Sequence, residues 1–162
     1  MTTNRIVKTA IVASIYAVVT VGLSPLSYGP IQFRLSEMLM LLAFINSDYI
    51  IGLTIGCLIA NLLGPYGLAD IICGTFATFV SAYLIYITSK IIKGKYAIWV
   101  ASLWPVIANA VIIGLMLNVF FKLPLILNML QIGIGEFGVV TVIGVPLFNI
   151  TASKYPIILK EA

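Results

Sequence analysis

Histidine is missing from this chain, and charge is scarce: 9% of its 162 residues are Asp, Glu, Lys or Arg. Without histidine there can be no zinc-protease motif and no Ser–His or Cys–His dyad. No G-x-x-x-x-G-K-[ST] run is present either, so the chain does not hydrolyse ATP through a P-loop. Its two cysteines, Cys57 and Cys73, lie in apolar runs with no C-x-x-C spacing. They read as small apolar packing residues rather than metal or redox groups. An intramembrane aspartyl enzyme needs two facing aspartates, and Asp48 and Asp70 are expected at opposite ends of the chain's depth. These absences leave no support for an enzyme or for a resident metal or cofactor.

Apolar residues are abundant. They make up 62% of the chain, and the mean hydropathy is +1.17. A soluble domain carries charge on about a quarter of its residues and could not hide this much apolar surface. The bilayer is therefore the solvent, and only helices or closed barrels satisfy their backbone there. The long apolar runs point to an all-α integral membrane protein, with room for about six spans of 20 residues in a single domain over 1–162. The net charge of +4 then reports orientation in the membrane, not affinity for nucleic acid.

The first helix is expected from about Ile6 to Leu23. It follows Arg5 and Lys8 like a signal peptide, but no A-x-A-like site closes it, so it reads as a retained span. Ala13 and Ala17, with Ala10 and Ser14 beside them, strip one face to small side chains. Such a face permits close backbone approach, either inside the bundle or against a partner protein. Ser24-Pro25 and Gly29-Pro30 break the chain. Two short segments follow, 35–45 and 49–63, readable as two tilted spans or one re-entrant hairpin. After the turn cluster 64–67, Asp70 opens a helix running to about Thr88, where Thr75, Thr78, Gly74 and Ser81 form a weakly polar stripe. Further helices are expected over 97–121 and 125–152. A cytoplasmic N-terminus places Arg5, Lys8, Lys90, Lys93, Lys95, Lys154 and Lys160 inside against Arg34 and Lys122 outside, seven to two. The positive-inside rule then puts both termini in the cytoplasm and the stretch Tyr28–Glu37 on the outer face, as lid and rim of a pocket.

Charged and amide side chains at membrane depth are costly and normally face a cavity or a partner. At 1.5 Å per residue Glu136 lies about 16 Å below one surface and Asn109 about 18 Å from the other, both near the midplane. Their helices are joined by a short turn, so the two side chains can face one cavity. Each has a plainer reading, Glu136 as a buried carboxyl bonded across helices and Asn109 as interhelical glue. Asp70 can be a helix-start residue at the interface, and Arg34 and Glu37 an i,i+3 surface pair.

G-P-I-Q-F-R-L-S-E at 29–37, G-P-Y-G-L-A-D at 64–70, N-A-V-I-I-G from Asn109 and G-E-F-G at 135–138 together resemble the QueT family. These are the queuosine-precursor S-components of energy-coupling factor (ECF) transporters, and the resemblance runs along nearly the whole chain. It implies a six-helix, S-component-like bundle in a bacterial cell membrane. The ligand would be a 7-deazaguanine (an aminomethyl or cyano precursor, or queuine) held in an outward pocket closed by the loop after the first helix. It implies as partners a transmembrane coupling subunit and two cytoplasmic ATPases, which would use ATP in place of this chain. Ala13 and Ala17 would lie on the docking face. Glu136 and Asn109 would read the base edge, Asp70 or Glu37 would meet an amine, and Arg34 would anchor the loop or a ring carbonyl. Tyr66, Tyr28 or Phe33 would stack on the flat ring. An S-component for another vitamin and a self-sufficient secondary transporter are the competing readings. Against the latter stand the chain's 162 residues, with no detectable internal repeat.

Overall fold

A computed structural model describes residues 3–154. Lys160, one of the basic residues assigned to the cytoplasm, lies outside the described residues. All regular structure described is helical. In chain order it is α1 (Thr3–Gly22), α2 (Ser24–Ser27), a 3-10 helix (Leu35–Phe44), α3 (Asp48–Leu62), α4 (Gly67–Ile91), α5 (Ala97–Ala101), α6 (Leu103–Phe121), α7 (Leu125–Glu136), a π-helical segment (Phe137–Gly144) and α8 (Val145–Lys154).

Among the described residues, four helical stretches are long and apolar enough to cross a bilayer: 5–22, 67–91, 97–121 and 125–154. The 3-10 helix and α3 are apolar but shorter. Ten residues at 2.0 Å rise give about 20 Å and fifteen at 1.5 Å about 22 Å, each less than a hydrocarbon core of about 30 Å. Burial is inverted relative to a soluble protein. Val18, Leu68, Ile72, Ile126 and Ile134 are more than half exposed, while Glu37, Asp70, Asn61, Ser81 and Thr78 are almost completely buried. Apolar side chains that face outward have no reason to hide in lipid, whereas polar ones must find partners inside.

The small-residue face of α1 is used within the chain. Gly52 and Gly56 of α3 are four apart, and a Cβ on Gly56 would lie 2.8 Å from the Ala13 carbonyl oxygen. One on Gly52 would lie 2.9 Å from that of Thr9. Only glycine admits this approach, and the close packing it allows holds helices together where no hydrophobic force acts. Ala13 and Ala17 are consequently 5% and 7% exposed. This corrects the expectation of a free docking face at those two residues; on α1 it is Ala10 and Ser14 that are exposed.

The expected fifth helix is broken at Ser102, between α5 and α6. Pro105 has no N–H to offer the carbonyl of Ala101, and its ring crowds the preceding turn. At the break Ser102 Oγ donates to the Trp99 carbonyl at 2.7 Å and lies 3.1 Å from Thr141 Oγ1. The sixth is continuous but changes winding immediately after Glu136, where the π segment begins. That segment precedes Pro146, whose missing N–H removes the α-type bond to Val142; wider winding is one way a helix absorbs such a loss.

Contacts sort the connections into two ends. At one end Arg5 bonds both oxygens of Asp48 at the start of α3, and Asn46, Ser47 and Lys90 line one cavity. Gly94, Lys95 and Tyr96 share another cavity with Phe148, Asn149 and Ala152. At the opposite end the Tyr28 hydroxyl donates to the Ala60 carbonyl at 2.6 Å. There Tyr66 donates to the Tyr28 carbonyl at 2.9 Å and meets Phe121 edge-on, centroids 5.5 Å apart.

Candidate functional site

The loop from Tyr28 turns into the bundle. Gln32 adopts a left-handed backbone, φ 49°, with its N–H donating to the Gly29 carbonyl at 3.0 Å. The Arg34 N–H donates to the Gln32 carbonyl at 2.8 Å. This tight reversal leaves Ile31 half exposed and buries Gln32 and Arg34 to 4% and 6% exposure. A left-handed residue other than glycine is costly and tends to persist where the surroundings fix it, often at functional positions.

Arg34 is the centre of the buried charge. Its guanidinium lies 5.4 Å from the centroid of the Tyr28 ring. Nη2 is 4.0 Å from Asp70 Oδ2, and Nη1 is 3.9 Å from Cys57 Sγ. Asp70 stands in the first turn of α4 and is 1% exposed, and neither carboxylate oxygen has a hydrogen-bond partner. Asp70 thus has the helix-start position expected of it and is buried there. Gly74 makes the space, because a Cβ there would sit 2.5 Å from Asn61 Nδ2 and 2.8 Å from Asp70 Oδ1.

Glu37 is completely buried and faces α1, where the Tyr16 hydroxyl donates to its Oε1. Its neighbour Ser36 meets Thr20 of α1, with 2.5 Å between the hydroxyl oxygens. Arg34 and Glu37 are thus not a surface pair: each is buried, and each has its own partner on another element. The stretch 28–37 carries charge into the interior, so it supplies more than a rim.

Asn109 and Glu136 are brought together as expected, Asn109 Nδ2 donating to Glu136 Oε1 at 3.0 Å. Both are buried, and Glu136 Oε2 has no partner. Glu136 also lies within electrostatic reach of Glu37 and Arg34. Glycines seat the loop against this helix. A Cβ on Gly135 would lie 2.1 Å from the Ile31 carbonyl oxygen and one on Gly138 3.3 Å from the Phe33 ring.

Tyr66 is half-buried, and its hydroxyl ties down the Tyr28 carbonyl. Burial raises the phenols of Tyr28 and Tyr66 above their ordinary range; Arg34 opposes that rise and Asp70 adds to it. Both therefore remain neutral donors near pH 7. Tyr16 and Asn61 are polar partners that sequence reasoning missed, and Gln32 is a buried amide whose Nε2 has no hydrogen-bond partner. Asn61 Nδ2 donates to the Asp70 backbone carbonyl at 3.0 Å and to Cys57 Sγ at 3.3 Å, and Thr78 Oγ1 donates to the same sulfur at 3.1 Å. Cys57 is a core residue as expected, but its sulfur is also a polar acceptor. The signal available for Asn61 was an amide inside the apolar run 49–63. Tyr16 stood out less, as one large residue among small ones on α1.

The result is a buried cluster in which three carboxyls, one guanidinium and several amides and hydroxyls converge from α1, the loop, the 3-10 helix, α3, α4, α6 and α7. Residues 6–153 match the family described as QueT transporter. The chain belongs to the QueT transporter family. That makes it a member of a transporter family and not an enzyme. The QueT match takes in every helix of the cluster, from Tyr16 to Glu136. A protein described as "Queuosine precursor transporter QueT" from Lactococcus lactis subsp. cremoris (strain MG1363) is 52% identical over 80 residues, covering 48% of this chain and 47% of that protein. The aligned stretch is thus about half the length of that relative. No solved structure gives a significant match.

Proposed function

We propose that this QueT-family chain binds a queuosine precursor of the 7-deazaguanine class in the buried cluster and serves as the S-component of an ECF importer. The observation that carries this reading is the set of orphaned acceptors. Glu37 Oε2, both oxygens of Asp70 and Glu136 Oε2 are buried without hydrogen bonds. A buried acceptor without a donor costs roughly 1–3 kcal/mol, more when charged, so such a site favours a donor-rich ligand. The edge of a guanine-like base offers adjacent N–H donors, which suits Glu136 beside Asn109. Arg34 is the donor available to a ring carbonyl. Charge-assisted bonds in a water-poor site are the strong kind and reject analogues that leave them unmade. The half-buried rings of Tyr66 and Phe33, with Tyr28, are candidates to pack on the flat ligand.

In this reading the 3-10 helix and α3 complete six crossings of a bacterial cell membrane, both termini are cytoplasmic, and ATP is used by separate ATPase subunits. The coupling subunit would meet α1 through exposed Ala10 and Ser14, with Ala13 behind them packed on α3 and Ala17 buried in the bundle. Titration of the purified protein with 7-aminomethyl-7-deazaguanine tests the site. Glu136→Gln should weaken binding at least about tenfold, equivalent to 1.4 kcal/mol, and unchanged affinity removes Glu136 from it. Ala10→Trp tests the docking face: ligand affinity should persist while co-purification with the coupling subunit fails. Intact assembly would place docking elsewhere.

A further inference from the structure

The three buried carboxyls are not equivalent, and the difference bears on the charge of the ligand. Asp70 has a cation beside it, the Arg34 guanidinium at 4.0 Å. The hydrogen-bond partners of Glu37 and Glu136 are neutral: the Tyr16 phenol for one and the Asn109 amide for the other. Arg34 is an electrostatic neighbour of Glu37, and to a lesser degree of Glu136, but its ion-pair contact is with Asp70. One guanidinium therefore faces three carboxyls, and each glutamate keeps an unpartnered Oε2 while being 0% or 3% exposed. A buried carboxylate without a cation is costly, and a cation brought by the ligand offsets that cost. An ammonium placed at Asp70 would sit against Arg34 and be repelled. At Glu37 the guanidinium is a neighbour but not an ion-pair contact, and the groups in contact are an unpaired oxygen and a neutral phenol.

Resting on the proposed queuosine-precursor reading, we infer that Glu37 is the partner of a protonated amine on the ligand, with Asp70 committed to holding Arg34. The site then selects 7-deazaguanines that carry an aminomethyl group over those that carry a neutral nitrile. Glu136 with Asn109 faces the base edge, which both compounds share. Glu37 thus acts on selectivity, and Glu136 and Asp70 act on binding of the whole class.

The test is a paired titration of the full purified chain at neutral pH with the aminomethyl and the cyano compound. Wild-type protein should bind the amine at least about tenfold more tightly. Glu37→Gln should bring the two affinities together while nitrile binding survives, which also shows that the variant is folded. Asp70→Asn should weaken both compounds and keep their ratio. Equal affinities in the wild type, or an undiminished ratio in Glu37→Gln, would overturn the inference with the broader reading intact. So would a ratio lost in Asp70→Asn but kept in Glu37→Gln, which would name Asp70 as the amine partner. If wild-type protein bound neither compound, the queuosine-precursor reading itself would fall.

Discussion

Tyr16 shows how much of the site rests on single side chains. It is fully buried on α1, and its hydroxyl is the hydrogen-bond partner of Glu37. Removing one partner of a buried bond costs the desolvation of the other, about 1–3 kcal/mol and more where charge is involved. Tyr16→Phe keeps the ring and its packing, so the loss isolates the hydroxyl. The variant should unfold at lower temperature in detergent than the wild type and bind ligand more weakly. Unchanged values of both would mean that Glu37 does not depend on this bond. Asn61 has a comparable place, holding the backbone carbonyl of Asp70 and the sulfur of Cys57 with one amide nitrogen.

The elements explain why some of this was legible in advance and some was not. Asn109 and Glu136 could be paired from sequence because each lies a countable distance along a long helix. Two antiparallel neighbours joined at 122–124 then have a fixed relative depth. Arg34 and Glu37 could not, because their depth depends on the reversal at Gln32, and nothing in the hydrophobic pattern announces a left-handed residue there. The same limit applies to 35–44, where apolar composition gave a helical segment but not its 3-10 winding. Long-range approach was hidden for a similar reason. G-E-F-G at 135–138 was visible as a motif, yet only the fold shows that its first glycine leaves room for the backbone of Ile31. Gly135→Ala would put a Cβ 2.1 Å from the Ile31 carbonyl oxygen. That clash is between two backbones and cannot be absorbed by a rotamer change, so the loop must lift. The expected result is weaker ligand binding with helix content by circular dichroism unchanged. Wild-type affinity in this variant would show that the seat of the loop on α7 is not needed.

At the scale of the whole molecule, the distribution of charge determines which way the bundle faces. Arg34 was counted on the outer side, but it is buried and reports no side at all. Among the described residues, that leaves Lys122, at the exposed C-terminal end of α6, as the basic residue at the Tyr28–Tyr66 end. Arg5, Lys90 and Lys95 lie at the opposite end, tied there by Asp48 and by the cavities that join 45–47 to 90 and 94–99 to 148–152. Lys93 lies in the same 90–95 turn and is exposed. The bias is therefore stronger than the sequence count suggested, because one of its two counter-examples is an interior residue. Positive charge flanking membrane helices is retained on the cytoplasmic side, so the 90–95 turn should be cytoplasmic and the Tyr28–Tyr66 end external. Cysteines introduced one at a time into a Cys73→Ala background, which keeps only the fully buried Cys57, test this with a membrane-impermeant maleimide. Lys122→Cys should label in intact cells, and Lys93→Cys should label only after the cells are opened. The reverse pattern would turn the bundle over and direct the loop at 28–34 to the cytoplasm, which is incompatible with capture of an external ligand.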